Sequence, residues 1–165
     1  MASNNKTTIT ADKGKQELFI TREFDAPREL VFKAFCDPDI LAQWMGPREL
    51  KTKIEKLDNQ SHGSWRFVHI DPAGNEYGFN GVIHEVSEPE RVIRTFEFEG
   101  LPEKGHVSLE FLTLEELPDS RTKMNIHTIY KSVEDRDGHV QSGMERGVVD
   151  SHARLDEWLQ GEKVM

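Results

Sequence analysis

The side chains able to do chemistry in this chain are seven histidines, one cysteine and scattered carboxylates. A metal site needs ligands at short recurring spacings, such as H-E-x-x-H or paired C-x-x-C. His62, His69, His84, His106, His127, His139 and His152 fall into no such pattern, and Cys36 has no second cysteine to join it, so no metal is expected. A G-x-S-x-G elbow, a P-loop and a G-x-G-x-x-G turn are all missing, so the sequence supports no nucleophile and no cofactor. His152 and Asp156 stand one helical turn apart, a spacing that gives a surface pair more often than a catalytic dyad.

What remains is a set of side chains suited to binding. In S-W-R-F-V-H-I, Ser64 to Ile70, strand alternation puts Trp65, Phe67 and His69 on one face. Phe79, Gly81 and Ile83 share a face of the next strand, and Phe96 and Phe98 one of the strand after, where Ile93 and Thr95 offer the opposite parity. Such a face is either plain core or the wall of an apolar cavity. His69 is its one polar group, and a buried imidazole must find a hydrogen-bond partner, inside the core or on a ligand. Near the end of the chain Gly143 and Gly147 stand one turn apart on a helical pattern, where each costs about 1 kcal/mol against alanine. Either a neighbouring backbone comes close there, or space is left open beneath the first turns. On the cavity reading the lining is Trp65, Phe67, His69, Phe79, Phe96 and Phe98 from the sheet, with Met144 and Val148 from the helix.

The elements that must position these residues follow from periodicity. Glu17 to Phe24 reads as a first strand, and Pro27 opens a helix carrying Leu30, Val31, Ala34 and Phe35. Asp37-Pro38 starts a second short helix with Ile40, Leu41 and Trp44 on one face, ended by Gly46-Pro47. Period two then runs from Glu49 to Tyr130, giving strands near Leu50 to Leu57, Ser64 to Ile70, Tyr77 to Val86, Val92 to Glu99, His106 to Leu117 and Thr122 to Tyr130. Short turns between them favour antiparallel neighbours. From about Gly143 to Gln160, Met144, Val148, Leu155, Trp158 and Leu159 make a long apolar stripe, most simply buried if the sheet curls around that helix. Residues 1–14 are polar and expected to be a flexible segment, although Thr7 to Thr10 suits a short edge strand; residues 15–165 are expected to form one domain.

Lys and Arg number 21 against 30 Asp and Glu, a formal net charge of −9, which argues against nucleic acid or an anionic membrane as partner. No apolar run reaches the ~20 residues of a membrane span, and the N-terminal stretch lacks the apolar core of a signal peptide. With its lone cysteine the protein is expected to be cytoplasmic.

I-T-R-E-F-D-A-P-R-E-L-V-F-K-A-F from Ile20 and D-P-D-I-L-A-Q-W-M-G-P from Asp37 resemble the opening signature of the START-like (SRPBCC) superfamily. H-G-S-W-R-F from His62, N-G-V-I-H-E-V from Asn80, P-E-R-V-I from Pro89 and S-G-M-E-R-G-V from Ser142 continue the likeness. More closely, they resemble the bacterial branch similar to the C-terminal domain of the activator of heat-shock protein 90 ATPase. The resemblance implies an α+β helix-grip fold, a seven-stranded antiparallel sheet wrapped around a C-terminal helix, often with a cavity between them. Val148 stands where many relatives carry tryptophan, and His62 where a paired glycine is usual. Three readings follow: binding of a small apolar or amphipathic ligand, interaction with a chaperone or self-association in a stress-related role, and an enzyme of cyclase or hydrolase type using the same cavity.

Overall fold

The computed structural model describes residues 5–164 as a curved antiparallel sheet with helices packed on its concave side. Its elements are β1 (Thr8–Thr10), β2 (Glu17–Phe24), α1 (Arg28–Cys36), α2 (Pro38–Trp44), β3 (Lys51–Leu57), β4 (Ser64–Ile70), β5 (Glu76–Ser87), β6 (Arg91–Phe98), β7 (Ser108–Leu117), β8 (Arg121–Ile129), α3 (Val133–Gln141) and α4 (Met144–Val164). The sheet order is β1-β2-β8-β7-β6-β5-β4-β3. It has eight strands where the family resemblance implied seven, because Thr8–Thr10 pairs with Phe19 to Thr21 along the outer edge of β2. Of the stretch expected to be flexible, residues 1–4 lie outside the described residues.

The first strand shows the alternation that drives the fold: Leu18, Ile20, Arg22 and Phe24 are buried, while Phe19, Thr21 and Glu23 are more exposed. Pro27 is the N-cap of α1 rather than its first helical residue. Asp37 then serves two helices at once. Its backbone N–H closes α1 on the Lys33 carbonyl, and its carboxylate accepts from the N–H groups of Asp39 at 2.9 Å and Ile40 at 3.3 Å to open α2.

The long helix expected from about Gly143 to Gln160 is α4, and a further short helix, α3, which lies outside the expected elements, precedes it. Gly143 adopts φ +88°, a left-handed conformation that glycine tolerates, and lies outside both, so Met144 begins α4. α4 buries Leu155 and Leu159 in the main core with Phe24, Phe32, Trp44, Leu112, Leu114 and Met124. His152 and Asp156 share that buried side instead of forming the expected surface pair, at 4% and 6% exposure. They do not bond each other: His152 Nδ1 meets Thr7 Oγ1 at 2.8 Å, and Asp156 takes a 3.4 Å contact from Arg22, which the parity of β2 turns inward.

Candidate functional site

Trp65 and Phe67 of β4, Phe79 of β5, and Phe96 and Phe98 of β6 form one continuous wall. Trp65 stacks on Phe67 at 5.3 Å between ring centroids, Phe67 on Phe79 at 5.0 Å, and Phe79 meets Phe96 at 5.5 Å and Phe98 at 5.1 Å. The register explains it. Phe67 lies opposite Phe79 and Phe79 opposite Phe98, so all three share the concave face. Gly81 does not open a void in this wall. A Cβ there would stand 1.9 Å from the Thr95 carbonyl oxygen and 2.5 Å from Trp65 Nε1, and the indole donates to that carbonyl at 3.1 Å.

His69 belongs to the end of the wall, 5.0 Å from Phe67 and 5.3 Å from Phe79. Its Nδ1 shares a 2.9 Å hydrogen bond with Thr52 Oγ1, which itself donates to the Met45 carbonyl. Burial, helped by the charge of Arg154, lowers its pKa to about 4. The ring is a neutral core histidine bonded to protein, wedged against Gly46, where a Cβ would come within 2.7 Å of the imidazole. Its Nδ1 is therefore already taken within the protein, while Nε2 makes no hydrogen bond among the described residues.

Met144 and Val148 stand apart from the aromatic wall. They pack with Leu18, Ile20 and Tyr130 over β2 and β8, whereas Trp65, Phe67, Phe79 and Phe96 gather around Ile83. Gly147 faces neither group: a Cβ there would meet the Pro47 ring at 3.6 Å, an ordinary van der Waals contact, so neither a close approach nor an open cavity accounts for the glycine. The last turn of α2 and the loop after it are tied to α4 by Arg154, which donates to the carbonyls of Gln43 at 2.7 Å and Gly46 at 3.0 Å, and by Ser151 Oγ, which accepts from Gly46 N–H at 2.7 Å.

Between the two apolar groups the sheet carries a polar floor. Ile83 pairs with Arg94, Arg94 with Glu110, Glu110 with Thr128 and Thr128 with Leu18, one row across five strands. Ile83, Thr128 and Leu18 are buried at 1%, 5% and 1%, so the row faces inward. Arg94 Nε donates to Glu110 Oε1 at 3.1 Å, both side chains are 19% exposed, and the guanidinium lies 4.4 Å from the centroid of the Trp65 ring. Beside them the Tyr130 hydroxyl and His139 Nδ1 share a short hydrogen bond, and the imidazole stacks on Phe96 at 6.2 Å. Burial, then the charge of Glu110, pushes the phenol of Tyr130 above its usual range, and burial holds His139 below the usual imidazole value. Both are neutral near pH 7.

Of these four polar residues the sequence drew attention only to His139, among the histidines that fit no metal spacing, yet for Arg94 and Glu110 a signal existed. Once Phe96 faces inward, alternation sends Arg94 inward too, and Leu112 and Leu114 do the same for Glu110. Among the described residues, no three His, Cys, Asp or Glu side chains are grouped to hold a metal ion, and no helix is long and apolar enough to cross a membrane. A depression of about 250 Å³ lies around Arg66, Val68, Gly78 and Glu99, largely on the face of β4 opposite Trp65 and Phe67. Of the eight residues predicted to line a cavity, Phe98 alone borders it.

A profile of the family described as Activator of Hsp90 ATPase homolog 1-like protein matches residues 25–160. No curated protein sequence matches the chain significantly. Among solved structures, a protein from Arthrobacter aurescens superposes with a TM-score of 0.84 at 23% identity, over 93% of this chain and 91% of its own. One from Rhodobacter sphaeroides gives 0.83 at 23% identity over 93% and 98%. CalU16 from Micromonospora echinospora gives 0.61 at 20% identity over 98% and 90%. At these identities the structures speak for the fold, and it is the profile match across most of the chain that assigns it: the protein belongs to the Activator of Hsp90 ATPase homolog 1-like family.

Proposed function

We propose that the protein binds a small, largely apolar molecule on the concave side of the sheet, between the aromatic wall of β4 to β6 and the first turns of α4. The observation that carries this reading is the Arg94–Glu110 pair. It sits on the inner face, only 19% exposed, between two separate apolar clusters. Desolvating an ion pair costs about as much as the pairing returns, so two apolar side chains there would serve folding at least as well. A few polar groups converging in an otherwise apolar concavity are what a ligand site requires. Trp65, Phe67, Phe79 and Phe96 then supply the apolar surface on one side of the floor, Met144 and Val148 belong to the cluster on its other side, and Arg94 and Glu110 serve as the polar handle.

Val148 is half-buried on the helix side of this space, packed against the Leu18, Ile20 and Tyr130 cluster without being one of its fully buried members. The test is uptake of the neutral fluorescent probe N-phenyl-1-naphthylamine by wild type and by Val148→Trp. Saturable uptake by wild type, at least tenfold weaker in a variant that melts as wild type does, is the expected result. Equal uptake by the two proteins, or none by wild type, contradicts the reading.

A further inference from the structure

The same floor specifies the head group of its ligand. Arg94 uses Nε for Glu110, and Glu110 uses Oε1 for Arg94; among the described residues Nη1, Nη2 and Glu110 Oε2 make no hydrogen bond. None of the three is among the sealed, unpaired polar atoms, so they reach accessible space. The floor therefore offers two donors beside one acceptor, with the charges already balanced. A carboxylate or phosphate on Arg94 would lie beside the carboxylate of Glu110, and an ammonium on Glu110 would lie beside a guanidinium. Either brings an unbalanced charge into a site that is four-fifths buried. A neutral head carrying an acceptor next to a donor satisfies both residues without that cost. Resting on the binding reading above, we infer that the ligand is a neutral amphipath, with an amide or hydroxy-carbonyl head seated on Arg94 and Glu110 and an apolar body against Trp65 and Phe96.

Displacement of bound N-phenyl-1-naphthylamine by decanamide, decanoate and decylammonium at pH 7 tests this, because the three share a tail and differ in head charge. Decanamide should displace the probe from wild type at concentrations at least tenfold lower than the other two. In Glu110→Gln, which leaves Arg94 uncompensated, decanoate should become the best competitor; in Arg94→Gln, decylammonium should. Wild-type displacement that ignores the head, or a preference for decanoate that persists in Arg94→Gln, overturns this inference while leaving the binding reading intact. Failure of wild type to take up the probe overturns both.

Discussion

The indole of Trp65 reaches across β5 to donate to the carbonyl of Thr95 at 3.1 Å, through space that exists only because residue 81 is glycine. Gly81→Ala should therefore cost about 1–3 kcal/mol, the usual penalty for overpacking, and break that hydrogen bond. Denaturant unfolding gives the first quantity. The indole N–H resonance of Trp65 gives the second, and an unchanged shift and midpoint would contradict the geometry.

Leu155 is fully buried against the helices and the sheet. Leu155→Ala should destabilise by roughly 2–5 kcal/mol as a large-to-small core change. A melting curve unaffected by the substitution would refute the placement of α4.

His152 has its pKa lowered to about 3, first by burial and then by the charge of Arg22. The folded state thus binds fewer protons at this site than the unfolded state, whose histidine titrates near its ordinary 6.5. The stabilisation from neutral His152 is present above about pH 6.5 and is lost as pH falls toward 3, on the order of 1 kcal/mol per unit in that window. His152→Phe should flatten the dependence of unfolding free energy between pH 6.5 and 4 relative to wild type. Parallel curves would show that another group governs acid sensitivity.

Arg154 holds the last turn of α2 and the loop after it through the carbonyls of Gln43 and Gly46. Arg154→Ala removes charge-assisted hydrogen bonds and should cost about 1.5–3 kcal/mol, less whatever solvent recovers at this partly exposed site. Hydrogen exchange should accelerate at Gly46 and Arg48, whose N–H groups bond to α4, and leave β7 and β8 unchanged. Uniform acceleration would instead indicate global destabilisation.

Much of the architecture was legible in the sequence because burial has a period. Leu18, Ile20 and Phe24, the aromatics of β4 to β6, and Leu155 with Leu159 all show it, and short turns dictated antiparallel order. The site was less legible. Gly143 and Gly147 looked alike on a helical wheel, but one takes a positive φ between two helices and the other lies within α4 with only an ordinary contact to Pro47, a difference that depends on chain geometry beyond the local pattern. His69 drew attention as the polar member of an aromatic face, yet its partner is Thr52 on the adjacent strand, a contact set by strand pairing. Arg94 and Glu110 were hidden for a different reason. A charged residue on a strand is ordinarily assigned to the solvent face, and the inward parity of both became informative only beside their neighbours Phe96 and Leu112.

The most direct measurement is chemical-shift mapping of the ¹⁵N-labelled protein as N-phenyl-1-naphthylamine is added. Binding on the concave side predicts saturable shifts confined to the Trp65 indole and the backbone of Phe96, Ser108, Glu110, Tyr130, His139 and Met144. Shifts centred instead on Arg66, Gly78 and Glu99, or no saturable shifts at all, would contradict it.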